Sequence, residues 1–218
     1  MNTSVIEASF GDAGTPELLA PGAEAWQEIE ETAISLSPTP LSSQPSSYVQ
    51  VSWEDRPRGD IANVYVKAMH TADEIAIQLS WSEVEPSRSI NDYNVFADAC
   101  AVLFPENGER AELDTMGSEE APVVGWYWRS GNADAFEITA RGIGTVERSR
   151  QHGVRSAARW VEDRWHVVLA RNLDLSRPHL RNAWEVPIAF AIWRGARAER
   201  AGLKSYSPAF HCLRMLTG

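Results

Sequence analysis

The chain has 218 residues, 23% of them charged and 44% hydrophobic, and carries a formal net charge of −10. This is an ordinary globular composition, long enough to bury a core in one domain. The acidic balance, with no basic patch to neutralise phosphates, speaks against nucleic acid as a partner, and no apolar run approaches the roughly 20 residues of a membrane span.

Residues 1–25, rich in Gly, Ala, Pro and Glu, read as an N-terminal arm that is mobile or contacts a partner; residues 26–218 then form a single domain. The N-terminus shows no basic start and no apolar core of signal-peptide length, so no export signal or anchor is expected. "IEETAISL" (29–36) alternates weakly and reads as a first strand. "SPTPLSSQPSS" (37–47) reads as an extended connection.

Short strands follow. "NVYVKAMH" and "EIAIQLSWS" both alternate, and "HTADE" between them makes a hairpin. "DACAVLFP" is apolar on both faces and ends at Pro105, which marks a central strand. A strand is predicted from Val123, in "TMGSEEAPVVGWYWRSG", with Val124, Trp126 and Trp128 on one face and Val123, Gly125 and Tyr127 on the other. "AFEITARG" is another strand, and "AARWVEDRWHVVLARNL" a hairpin with "EDR" at its tip. "VPIAFAIWRG" is again apolar on both faces, and "KSYSPAFHCLRML" closes the chain. Helix signals are weak; "SINDYNVFADA" and 176–184 hold short turns at most. Eight to ten short strands with polar, Gly-containing turns predict a mainly all-β fold: an antiparallel, two-sheet β-sandwich.

The familiar catalytic signatures are absent. There is no Gly-rich phosphate loop, no GxSxG, no HExxH and no Asp-x-Asp calcium loop. His70, His152, His166, His179 and His211 are scattered without ligand spacing, and Cys100 and Cys212 form no CxxC or CxxCH. No catalytic residue is therefore assigned. Nine tryptophans remain: Trp26, Trp53, Trp81, Trp126, Trp128, Trp160, Trp165, Trp184 and Trp193. They fit core and edge packing, a platform for stacking on sugar rings, or the walls of a pocket for a flat apolar cofactor.

Two motifs decide between these. "TMGSEEAPVVGWYWRSG" and "IAFAIWRGARAERAGLKSYSPAF", supported by "KAMHTADEIAIQLSW" and "DACAVLFP", together resemble the γ subunit of ethylbenzene dehydrogenase and of the related dimethyl sulfide dehydrogenase, chlorate reductase and selenate reductase. The likeness runs from about residue 26 onward. It departs at the N-terminal arm and at the Glu-rich stretch after Met116.

The resemblance implies a b-type haem held noncovalently in a β-sandwich, with Met116 and Lys204 as its axial, iron-binding residues. The implied role is electron transfer within a molybdenum oxidoreductase. The implied partners are an iron–sulfur β subunit, a molybdopterin-bearing catalytic α subunit and an external electron carrier. Trp126 and Trp128, or Tyr127 on the other face, are the candidate walls of the macrocycle. Without the resemblance, a methionine beside an aromatic strand reads as core filling, and a lysine before Ser-Tyr-Ser as a surface residue. The differing class is a carbohydrate-binding sandwich module without haem. The expected compartment is the periplasm, reached by co-export with a partner, with the cytoplasm as the alternative.

Overall fold

Period-two alternation in the sequence becomes strand throughout a computed structural model that describes residues 3–11, 14–89, 94–107, 111–150, 153–173 and 185–216. In chain order the strands are β1 (Val5–Phe10), β2 (Thr32–Ser35), β3 (Ser37–Pro38), β4 (Asn63–His70), β5 (Glu74–Ser82), β6 (Ala99–Pro105) and β7 (Val123–Arg129). They continue with β8 (Phe136–Ala140), β9 (Glu147–Arg148), β10 (Arg155–Val161), β11 (Arg164–Asn172), β12 (Glu185–Trp193), β13 (Ser205–Tyr206) and β14 (His211–Met215). Three one-turn helices accompany them: α1 (Thr15–Leu18), α2 (Glu24–Gln27) and α3 (Ser47–Ser52). The short turns expected within 89–99 and at 176–184 lie partly or wholly outside the described residues, as do Trp184, His152 and His179.

The strands follow the order β10-β11-β5-β4-β1-β14-β12-β6-β7-β8-β9, with β2 beside β4 and β13 between β12 and β3. This path folds over on itself into a sandwich. One half is β10, β11, β5 and β4; the other is β6 to β9. The long strand β12 crosses between them, pairing with β14 through Glu185–Ile188 and with β6 through Ala189–Trp193. The β10–β11 hairpin turns through Glu162 (φ 51°) and Asp163 (φ 56°), both left-handed as a tight two-residue turn requires. The inner faces meet in one core: Val64, Val66, Ile75, Ile77, Leu79 and Leu169 from one half, Cys100, Val102, Phe104, Trp126, Phe190 and Ile192 from the other.

The segment read as an arm is built into the sheet. β1 lies between β14 and β4, parallel to both, and Ile6 and Ala8 are buried on the core side. Leu18 and Trp26, from α1 and α2, cover the outer face of β4, β5 and β11, where they meet Met69, Ala76, Val168 and Ala170. The Trp26 indole donates to Leu18 O at 3.1 Å, which closes this cover on itself. Among the described residues no helix is long and apolar enough to cross a membrane.

Candidate functional site

The outer face of the other half is lined differently. Ala99 and Ala101 on β6 and Ala189 and Ala191 on β12 are small, and Gly125 on β7 has no side chain. A Cβ at Gly125 would lie 2.8 Å from Leu103 Cδ2 and 3.1 Å from Ile138 Cγ1, so the strands pack closely here only because this position is glycine. Above this face is a cavity of about 380 Å³ lined by Met116, Tyr127, Phe136, Ile138, Trp193 and Arg129, with further wall from 143–146 and 201–202.

Of the three aromatic residues assigned to the macrocycle wall, Tyr127 alone lines this cavity. It packs against Phe136 and Trp193, with ring centres 5.2 and 5.5 Å away. Burial pushes its phenol up to about 12, so it stays neutral. Trp126 and Trp128 do not line this cavity. Alternation along β7 turns them into the core between the sheets, where Trp126 meets Phe104 and Trp128 meets Trp165 and Trp81. Trp193, Phe136, Ile138 and Arg129 were not singled out from the sequence. The signal for Arg129 was present, because it shares the Tyr127 face at period two.

Met116 reaches the cavity from a loop whose backbone is unusual. Its φ is 63°, and that of Gly117 is 81°. A non-glycine residue in the left-handed region costs about 1–2 kcal/mol. Here it is held by Met116 N donating to Leu113 O (3.3 Å), Gly117 N to Glu112 O (2.7 Å) and Gly142 N to Met116 O (3.1 Å). Any Cβ at Gly117 would come within 2.7 Å of Ala121 O. The Thr-Met-Gly stretch thus presents a thioether, 5% exposed, at the cavity.

Lys204 is fully buried, and its Nζ has no hydrogen-bond partner among the described residues. That atom lies 5.8 Å from the Trp193 ring centre and 6.0 Å from that of Tyr206. Met116, Trp193 and Tyr206 pack into one cluster, so Met116 and Lys204 are brought to the same apolar region. Burial pushes the amine down to about 8, partly offset by Asp114.

The motif around Lys204 explains its placement. The amide and hydroxyl of Thr39 both donate to Lys204 O, at 3.0 and 3.2 Å. Ser205 Oγ accepts from Ile61 N, and Ser207 Oγ from Phe190 N. The loop before it is equally constrained. Trp193 Nε1 donates to Ala201 O at 3.0 Å, and a Cβ at Gly195 would overlap Phe96 O at 1.8 Å. These ties fix the Lys204 backbone and the direction in which its side chain sets out.

The rival ligands lie elsewhere. His70 is bonded to Thr71 O and Leu216 O, and His211 Nδ1 accepts from Ser4 N. Among the described residues no three His, Cys, Asp or Glu side chains cluster as a metal site. The arrangement is therefore an apolar slot lined by one thioether and, among the described residues, a single charged side chain, Arg129, with a buried amine beside its Trp193 wall.

Fold and site together define a β-sandwich with an apolar cavity on the outer face of one sheet, beneath loops, and not between its sheets. The family model described as ethylbenzene dehydrogenase matches residues 23–153 and 138–205, and the chain belongs to that family. It is 30% identical over 194 residues to a protein of Haloferax mediterranei named as a candidate haem subunit of respiratory nitrate reductase, covering 88% of this chain and 66% of that one. It is 29% identical to the chlorate reductase γ subunit of Ideonella dechloratans (96% and 83% covered). It is 28% identical to the dimethylsulfide dehydrogenase γ subunit of Rhodovulum sulfidophilum (66% and 57% covered). Among solved structures, a family 9 carbohydrate-binding module of Caldicellulosiruptor kristjanssonii in complex with glucose superposes with a TM-score of 0.54, covering 99% and 97%. At 12% identity that likeness bears on the fold alone.

Proposed function

We propose that this chain is the haem b electron-transfer subunit of a multisubunit molybdenum oxidoreductase, with Met116 and Lys204 as the axial ligands. The observation that carries this reading is the Lys204 amine, fully buried and without a hydrogen-bond partner, beside the wall of the apolar cavity that Met116 lines. An ammonium in that position costs several kcal/mol, whereas a neutral amine coordinated to a metal is satisfied. Only the neutral amine has a lone pair to give, and burial already favours it.

The residues fit the group. The thioether of Met116 is a soft, neutral ligand of the kind that raises a haem's reduction potential. Tyr127, Phe136, Ile138 and Trp193 supply apolar walls for a flat macrocycle and keep water from it. The strained Met116 backbone and the tied Lys204 backbone hold both donors in place without the ligand, so little ordering remains to be done on binding. Bound there, an iron porphyrin supplies reversible one-electron chemistry. Two protein ligands leave no position for a substrate, so the chain relays electrons and does not turn substrate over.

The relatives' names, a haem subunit and two γ subunits, support the same role and its setting. We assign as partners an iron–sulfur subunit, a molybdopterin catalytic subunit and an external carrier. Absorption and electron paramagnetic resonance spectra of the chain purified with its partners test the reading. A low-spin, six-coordinate signal is expected, lost in Met116→Ala and Lys204→Ala and kept in His70→Ala and His211→Ala. The opposite pattern overturns the ligand assignment.

A further inference from the structure

The cavity is apolar except for one charged side chain. Arg129 lines it from the end of β7, half-buried, with Nη2 donating to Asn132 Oδ1 at 2.9 Å. A second guanidinium stands near. Arg148 on β9 lies 4.1 Å from the ring centre of Phe136, another wall residue, and pairs in register with Ile138 on the same face. Among the described residues no carboxylate forms an ion pair with either arginine. In a chain of net charge −10 with ten more acidic than basic residues, two guanidinia without carboxylate partners at one apolar site are unusual.

The wall beside them is open. Val146 lines the cavity yet is 52% exposed, and the space beside Gly144 is empty to 4 Å. Met116 belongs to the deeper, buried cluster and the fully buried Lys204 lies against its Trp193 and Tyr206, whereas Arg129, Arg148 and Val146 stand toward solvent. The site is therefore polarised: soft and neutral donors in the buried part, hard cations at the rim.

Resting on the reading that the slot takes an iron porphyrin, we infer that Arg129 and Arg148 receive its two carboxylates and so decide which edge of the macrocycle faces solvent. The chemistry is direct. A protoporphyrin is apolar around most of its perimeter and carries both carboxylates on one edge. Entering the slot the other way round would bury those carboxylates against Tyr127, Ile138 and Trp193 without partners, which is costly. Planar guanidinium groups match carboxylates with charge-assisted, often bidentate hydrogen bonds. The Arg148 guanidinium, 4.1 Å from the Phe136 ring centre, is attracted to that ring and so stands beside the cavity wall. The sites proposed for the iron and for the carboxylates then fix the macrocycle's orientation between them.

The experiment is a Soret titration of the haem-free full-length chain with hemin and with hemin dimethyl ester, whose carboxylates are masked. The wild type should bind hemin at least about tenfold more tightly than the ester. Arg129→Leu should weaken hemin about tenfold and leave the ester unchanged. Arg148→Glu, at an exposed position that leaves folding intact, should do the same to a smaller degree, and the double variant should not distinguish the two. Equal binding of hemin and ester by the wild type overturns the inference while leaving the haem reading intact. So does a loss in the variants that is the same for both probes. Failure of the wild type to bind either probe overturns both.

Discussion

Glu199 Oε1 accepts the amide of Gly59, 2.6 Å away and 140 residues distant in sequence, while Oε2 accepts the amide of Arg194 at 2.9 Å. One buried carboxylate thus pins the start of the 194–204 loop to a distant segment, and that loop ends at Lys204. Burial, aided by Asp60, pushes this carboxyl up to about 7.

The sign of the resulting pH dependence follows from that shift. The folded chain holds a proton on Glu199 that the unfolded chain has already released between about pH 4.5 and 7. This contribution to stability is therefore complete at low pH and is lost as pH rises through that window, by on the order of 3 kcal/mol. Glu199→Gln should flatten the slope. It should also cost about 1–2 kcal/mol, because the amide nitrogen faces a backbone donor where an oxygen accepted one. Urea unfolding midpoints of both chains from pH 4.5 to 8 measure the difference.

Lys204 should trade stability for function. Its amine is buried without a hydrogen-bond partner among the described residues, so in the haem-free chain it is a liability. Lys204→Leu keeps the apolar bulk, removes the orphan and, unlike methionine, offers no ligand atom. The haem-free variant is expected to be about 1–3 kcal/mol more stable than the wild type in urea, while its six-coordinate signal with hemin is lost. A variant both less stable and still six-coordinate would show that Lys204 is an ordinary structural residue.

Gly117 should prove as necessary as the methionine beside it. At φ 81°, with backbone atoms of Ala121, Val123 and Ala140 within 3.2 Å of any Cβ, alanine is excluded twice over. Gly117→Ala should cost about 2–4 kcal/mol and move the Met116 loop. Thermal unfolding reads the first effect, and loss of the low-spin spectrum reads the second. Gly153, also left-handed but with open space around it, should tolerate alanine at about 1 kcal/mol and leave the spectrum unchanged.

The strands were legible wherever apolar residues recur at period two or run unbroken. β4, β5, β7 and the β10–β11 hairpin fall on the segments that alternate, and β6 and β12 on those apolar throughout, which cover both the core and the outer site. Period two also separated Trp126 and Trp128 from Tyr127, but it cannot say which face carries a ligand. That is set by the loops laid over the outer face, whose conformation depends on contacts such as Gln44 Nε2 to Gly202 O, 158 residues apart. β1 was illegible for a related reason. Val5 and Phe10 are 42% and 43% exposed, and its pairing partners, β14 and β4, lie far away in sequence.

That strand gives the last prediction. β1 supplies hydrogen bonds on both sides, to Cys212–Met215 and to Ala68–His70, and among the described residues no other strand joins β4 to β14. Its removal would leave two facing rows of unpaired backbone groups and uncover the neighbours of Ile6 and Ala8 in the core. An arm that merely touched a partner could be trimmed with loss of assembly alone. Deleting residues 1–11 should instead abolish cooperative unfolding of the isolated chain, and with it the hemin spectrum. Because β14 also pairs with β12, and β12 carries Trp193, the damage should reach the outer site across the sheet. Ile6→Ala tests the same relationship more gently: it should cost about 2–4 kcal/mol in urea while the hemin-bound spectrum at low denaturant stays intact. A trimmed chain that unfolds cooperatively and binds hemin normally would place the stability of the sandwich wholly within residues 12–218.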